Sequence, residues 1–141
     1  MRSVLEERIR IWLGDPESSV EYAEEVEGRW AVRMSQETRD ATTVWFDIGE
    51  RSLMFEAYVL PEPPVADEVH RQALVRNQRA WRCFFAIDHE GAIVLRGRVA
   101  ADEVTLDELD RVLGELYETI ELAFRPMLRS GFPGRDAGRG A

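Results

Sequence analysis

The side chains equipped for covalent or proton-transfer chemistry are few in this sequence, and they are scattered. Cys83, His70 and His89 make up its whole thiol and imidazole complement. Cys83 alternates with Phe85 and Ile87, the spacing of side chains that share one face of a strand, and a thiol among apolar neighbours is hard to ionise and a poor nucleophile. His89 stands between Asp88 and Glu90 in a turn, where adjacent residues diverge rather than close around a metal ion. His70 follows Asp67 on a helix and would need a second ligand from elsewhere in the chain. The adjacent acids Glu24 and Glu25, like Asp107 and Glu108, point to different sides of their elements and do not form the facing pair of a glycoside hydrolase. The sequence holds no phosphate-cradling glycine loop, serine elbow or Cys-x-x-Cys. A single cysteine also excludes an intrachain disulfide framework. No catalytic residue, metal or cofactor is expected.

Recognition chemistry is better represented. Successive side chains of a strand point to opposite faces, so the strands can be sorted by parity. One set, Val44, Phe46, Ile48, Leu53, Phe55, Ala57, Val59, Cys83, Phe85, Ile87, Ile93, Leu95 and Val99, is almost wholly apolar and belongs beneath helices. The other holds Trp45, Asp47, Met54, Glu56, Tyr58, Arg82, Phe84, Val94, Arg96 and Arg98. Large aromatics, methionine and arginine on one face are the composition of a protein interface. Trp45, Met54, Tyr58 and Phe84 are the expected anchors for a partner, with Arg96 and Arg98 orienting it. Two other readings of this face stand beside that one. The aromatics can be cross-strand pairs stiffening an exposed sheet, or platforms for stacking RNA bases.

Charge weighs against the RNA reading. All eighteen basic residues are arginine, against 27 acids, for a net charge of −9 over 141 residues. A chain this acidic lacks the attraction that drives polyanion binding. The negative excess is concentrated in residues 1–28 and 102–129, as expected of solvated helix surfaces or of a face that attracts a basic segment. The amino-terminal residues carry Glu6, Glu7, Arg8 and Arg10 where a signal peptide needs an unbroken apolar stretch, and no apolar run approaches the roughly 20 residues that span a bilayer. A bacterial cytoplasmic protein, without nucleic-acid or membrane partner, is expected.

The elements that must position the recognition face follow from periodicity. Val4, Leu5, Ile9, Trp12 and Leu13 mark an amphipathic first helix stopped at Gly14-Asp15-Pro16. A weak, acidic edge strand around Val20 to Val26 turns at Gly28 into a strand over 29–34. Strands over 42–48 and 53–60 follow, the second ended by Pro61 to Pro64. A helix is expected over 65–80, then a hairpin of strands 81–87 and 93–100. Thr105 to Glu108 has the spacing of a capping box opening the last helix, and Pro126 is expected to kink or end it near Arg125. Residues 1–130 read as one domain and 131–141 as a flexible tail. The expected class is α+β: an antiparallel sheet of about five strands with helices on one face, in the order α-β-β-β-α-β-β-α with a fourth early strand left open.

The second half carries a more specific pattern. Leu74 to Asn77, Phe85 to Asp88, Gly91, Val94 to Val99, Leu106 to Gly114 and Phe124 through Phe132 resemble the YbjN family, small bacterial proteins described as sensory-transduction regulators and related in fold to type III secretion chaperones. The matching positions read as turns, core and caps. The resemblance implies a chaperone-like or adaptor-like domain, often dimeric, with no required cofactor.

The function expected is therefore non-enzymatic protein binding by a homodimer, through Trp45, Met54, Tyr58, Phe84, Arg96 and Arg98. The alternative is a small-molecule-sensing regulatory domain with a pocket between the sheet and the last helix.

Overall fold

The computed structural model describes residues 1–134; the part of the expected tail from 135 to 141 lies outside the described residues. In chain order it contains α1 (Arg2–Gly14), β1 (Val20–Val26), β2 (Arg29–Ser35), β3 (Ala41–Ile48), β4 (Ser52–Leu60), α2 (Asp67–Asn77), β5 (Phe84–Ile87), β6 (Ile93–Ala100), a short 3-10 turn and α3 (Leu106–Gly131). The strands form one six-stranded sheet in the order β1-β2-β3-β4-β6-β5, every neighbouring pair antiparallel. The strand count is six rather than about five, because the acidic segment after α1 pairs along its length with β2. Glu27 and Gly28 both adopt positive φ between these strands, the two-residue turn that matches strand twist; glycine takes this conformation without steric cost.

The helices cover the inner face of the sheet. Phe46 and Phe55 meet there with ring centroids 6.3 Å apart, roofed by the α3 stripe of Leu109, Val112, Leu116, Ile120 and Met127, all fully buried. Leu5, Ile9 and Trp12 of α1 and Val69 of α2 complete this core. The interval between sheet and last helix is thus filled by packed apolar side chains.

Three features of the helices depart from expectation. First, α3 does not end near Arg125 but continues through Pro126 to Gly131. Proline withholds the N–H that would bond the Leu122 carbonyl, and here Arg76 of α2 donates to that carbonyl at 3.2 Å. The packed chain accordingly continues through buried Gly131 to Phe132, which lies against the core.

Second, the capping box is used differently from its usual form. Thr105 Oγ1 accepts the Glu108 N–H at 3.0 Å, but the Glu108 carboxylate accepts from Arg82 Nε at 2.7 Å.

Third, the acids of α3 are structural as well as solvating. Asp110 accepts from Trp12 Nε1 at 2.9 Å and ties α1 to α3. Glu121 collects the Glu37 and Thr38 N–H groups and the Gln36 amide, holding the link between β2 and β3. Burial pushes Glu121 up, but the N–H groups of Glu37 and Thr38 and the Gln36 and Thr38 side chains outweigh it and hold the carboxylate below its ordinary range.

Strand β5 forms one edge of the sheet and is closed by a side chain. The amide of Asn77, the last residue of α2, accepts the Phe85 N–H at 2.8 Å and donates to the Phe85 carbonyl at 3.1 Å. A side-chain amide is chemically a peptide group, so Asn77 does for β5 what one residue of a further strand would do.

Candidate functional site on the outer sheet face

The outer face is built from rows of residues in register. Ala31, Trp45, Glu56, Arg96 and Phe84 form one row across β2, β3, β4, β6 and β5. Asp47, Met54 and Arg98 form the next row, with Arg29 reaching Asp47 from the start of β2. Along these rows opposite charges lie beside large apolar groups, the arrangement that stabilises cross-strand pairs. Arg96 Nε donates to Glu56 at 3.0 Å, and Arg29 Nε lies 4.0 Å from the Asp47 carboxylate. The Arg29 guanidinium also sits 4.6 Å from the centroid of the Trp45 ring, in cation–π contact.

Between the rows is a shallow depression of about 250 Å³. Its lining includes Trp45, Met54, Phe84, Arg96 and Arg98, five of the six residues expected from sequence, together with Arg29. Met54 is 39% exposed and Phe84 46%. Tyr58, 51% exposed, shares the face but stands outside the depression, opposite Val94. Pairing of β3 with β4 stops at Val44 and Ala57. Beyond that point Arg39 donates to the Tyr58 and Val59 carbonyls, each at 2.7 Å, so on the β3 side this stretch of β4 backbone is held by a guanidinium.

Gly97 belongs to the lining of the depression, and its other side allows a close approach. A Cβ there would sit 2.1 Å from the Arg82 carbonyl oxygen and 2.6 Å from Phe55 Cζ, so only glycine lets the segment leading into β5 close over β6. That segment is itself held from α3. The Glu115 carboxylate accepts the N–H groups of Trp81 at 3.4 Å, Arg82 at 2.8 Å and Cys83 at 3.1 Å. Burial pushes Glu115 up, but the Arg82 and Cys83 N–H donors, the Cys83 thiol and the Trp81 N–H together hold it below the usual carboxylate range.

Parity placed most of the two faces correctly; one residue is misplaced and two differ in exposure from what their face implies. Arg82 was expected on the outer face; because residues 81–83 wrap around Glu115 instead of pairing in the sheet, its guanidinium turns to Glu108 and Glu115 of α3. Val94 has outer parity yet is only 1% exposed, and Ile87, expected beneath the helices, is 53% exposed where β5 runs out. Arg29 was missed as a lining residue. Its parity was readable, since it precedes Trp30 in the alternation of β2.

The residues weighed for chemistry remain apart. Cys83 is buried, and burial first, then the Glu115 charge, pushes its thiol up to about 12, far from a reactive thiolate. His70 is on α2 and His89 in the turn between β5 and β6. Among the described residues no group of three or more His, Cys, Asp or Glu side chains is arranged to hold a metal ion, and no helix is long and apolar enough to cross a membrane.

A six-stranded antiparallel sheet roofed on one face by α1, α2 and α3 is the fold of the type III secretion chaperones. It superposes on the Yersinia pestis type III secretion chaperone SycH, solved in complex with a stable fragment of YscM2, with a TM-score of 0.58 and 17% identity over 86% of this chain and 97% of that one. A chain of the ExsC–ExsE complex matches with a TM-score of 0.64 and 18% identity over 89% of this chain and 94% of its own. At such identities the likeness defines the fold. Within that fold class the chain belongs to the YbjN family, described as "Putative bacterial sensory transduction regulator", whose model matches residues 6–129. The uncharacterized protein ML2442 of Mycobacterium leprae is 38% identical over 105 residues, 74% of this chain and 57% of that protein. The chain thus spans little more than half the length of that relative.

Proposed function

We propose that this chain is a non-enzymatic, chaperone-like or adaptor-like domain of the bacterial cytoplasm that binds a segment of a partner protein on the outer face of its sheet and acts as a homodimer. The observation that carries the reading is the depression itself, where Trp45, Met54 and Phe84 stand beside Arg29, Arg96 and Arg98 on the face that no helix covers. Isolated exposed apolar groups are ordinary, but aromatics, methionine and arginine gathered around one concavity have the composition of an interface centre. Two of the solved proteins that share the fold were captured as complexes with other proteins. Self-association draws support from a second surface, where Leu74 and Val75 of α2 and Leu122 of α3 are exposed on neighbouring helices.

The test pairs Trp45→Ala with Tyr58→Ala. Both side chains lie outside the packed core, so each variant should keep the circular dichroism spectrum and unfolding transition of the native chain. Protein capture from a bacterial cytosol should fall at least tenfold for Trp45→Ala, and light scattering should give the mass of a dimer for the native chain. Unchanged capture by both variants would remove the outer face as the binding surface, and a monomer mass would remove the homodimer.

A further inference from the structure

We propose that the depression selects an extended partner segment bearing one carboxylate beside a large apolar side chain, with Arg98 as the anchor for the carboxylate. The inference rests on the outer face being a partner site and adds the chemistry of what it takes. Three arginines and two acids line the depression. Arg29 is engaged by Asp47 and by the Trp45 ring, and Arg96 by Glu56. Arg98, exposed and in register with Met54, makes no hydrogen bond or ion pair among the described residues. The depression therefore has one unanswered positive charge, next to the apolar surface of Met54, on a chain whose net charge is −9.

These two facts restrict the occupant from opposite sides. A free guanidinium at the rim of a concavity favours a carboxylate, which it can grip through two parallel N–H donors. The field of the whole chain opposes a polyanion, so a phosphate-rich or uniformly acidic ligand is repelled before it arrives. A lone Asp or Glu in an otherwise neutral or basic segment satisfies both conditions. The Trp45, Met54 and Phe84 surface then takes the apolar neighbour, and the fixed Arg29–Asp47 and Arg96–Glu56 pairs reject a cation placed there no more strongly than they attract one. Sign selectivity is left to Arg98.

The experiment is selection of a random 12-residue display library on the full native chain, with Trp45→Ala as counter-selection and Arg98→Glu and Arg98→Lys in parallel. Trp45-dependent sequences should be enriched in a single Asp or Glu next to an aromatic or large aliphatic residue. A synthetic peptide of the leading sequence should bind about tenfold more weakly after its acid is changed to the amide, and about tenfold more weakly to Arg98→Glu, while Arg98→Lys keeps part of the affinity. Trp45-dependent sequences without acidic enrichment, or with unchanged affinity for Arg98→Glu, overturn this inference and leave the binding surface standing. If no Trp45-dependent sequence is recovered, the surface and the inference both fall.

Discussion

Replacing Glu115 by alanine is the most informative single perturbation of this fold. Its carboxylate lies on α3 yet holds the backbone that leads into β5, through N–H donors of Trp81 at 3.4 Å, Arg82 at 2.8 Å and Cys83 at 3.1 Å. The long contact to Trp81, a residue 84% exposed, adds little. The two shorter bonds are charge-assisted and partly buried, at about 1.5 kcal/mol each, and alanine also leaves their donors unsatisfied. Arg82 itself keeps its partner Glu108. Glu115→Ala should therefore cost about 3 kcal/mol at pH 7, and Glu115→Gln, which keeps an acceptor oxygen, about half that. Urea unfolding followed by tryptophan fluorescence and circular dichroism measures it, with exposed Glu118→Ala as a control expected within about 0.5 kcal/mol of the native chain. The effect has a pH signature. A carboxylate whose folded pKa is depressed contributes its full stability above the unfolded value, near 4.3, and loses it as pH falls through the lower folded value. The gap between native chain and Glu115→Ala should hold from pH 7 to about 5 and, once pH has fallen through the depressed folded value, narrow toward the smaller difference that a neutral acceptor leaves. A cost under about 1 kcal/mol, or a gap independent of pH, refutes the account of Glu115 as a charged clamp.

Gly97→Ala should destabilise by about 3 kcal/mol or more, because a backbone carbonyl and a packed ring both occupy the place of the new methyl group; a thermal midpoint unchanged from the native chain would contradict the close approach. Gly114→Ala should do the reverse. The glycine lies inside α3 with nothing within 4 Å of an added Cβ, so alanine should raise stability by about 1 kcal/mol, seen as a higher urea midpoint. Cys83, with its thiol pushed up to about 12 and buried, should resist iodoacetamide at pH 8 in the folded chain and react readily in urea; equal rates in both states would show it exposed.

The two faces of the sheet were readable because strand parity is enforced by burial. Val44, Phe46, Leu53, Phe55 and Leu95 had to share the side that α3 covers, which left Trp45, Met54, Phe84, Arg96 and Arg98 on the other. The cap at Thr105 was equally local and was found in place. What parity cannot carry is a contact between distant segments. Nothing near Pro126 in the chain announces that Arg76 will bond the carbonyl the proline leaves free. Likewise Glu115 and Glu121 look like ordinary helix acids until residues 81–83 and 36–38 arrive against them with unpaired N–H groups. The misplacement of Arg82 has the same origin, since a three-residue segment drawn to a carboxylate no longer obeys the alternation of the strand that follows it.

Asn77 sets a limit on how copies of this protein can join. With its amide occupying both outward groups of Phe85, the β5 flank is largely withdrawn from lateral hydrogen bonding, while the β1 flank ends the sheet on the opposite side. A strand added beside β5 would first have to displace that carboxamide. One carboxamide at the end of a helix thus guards this edge of the sheet against lateral strand addition.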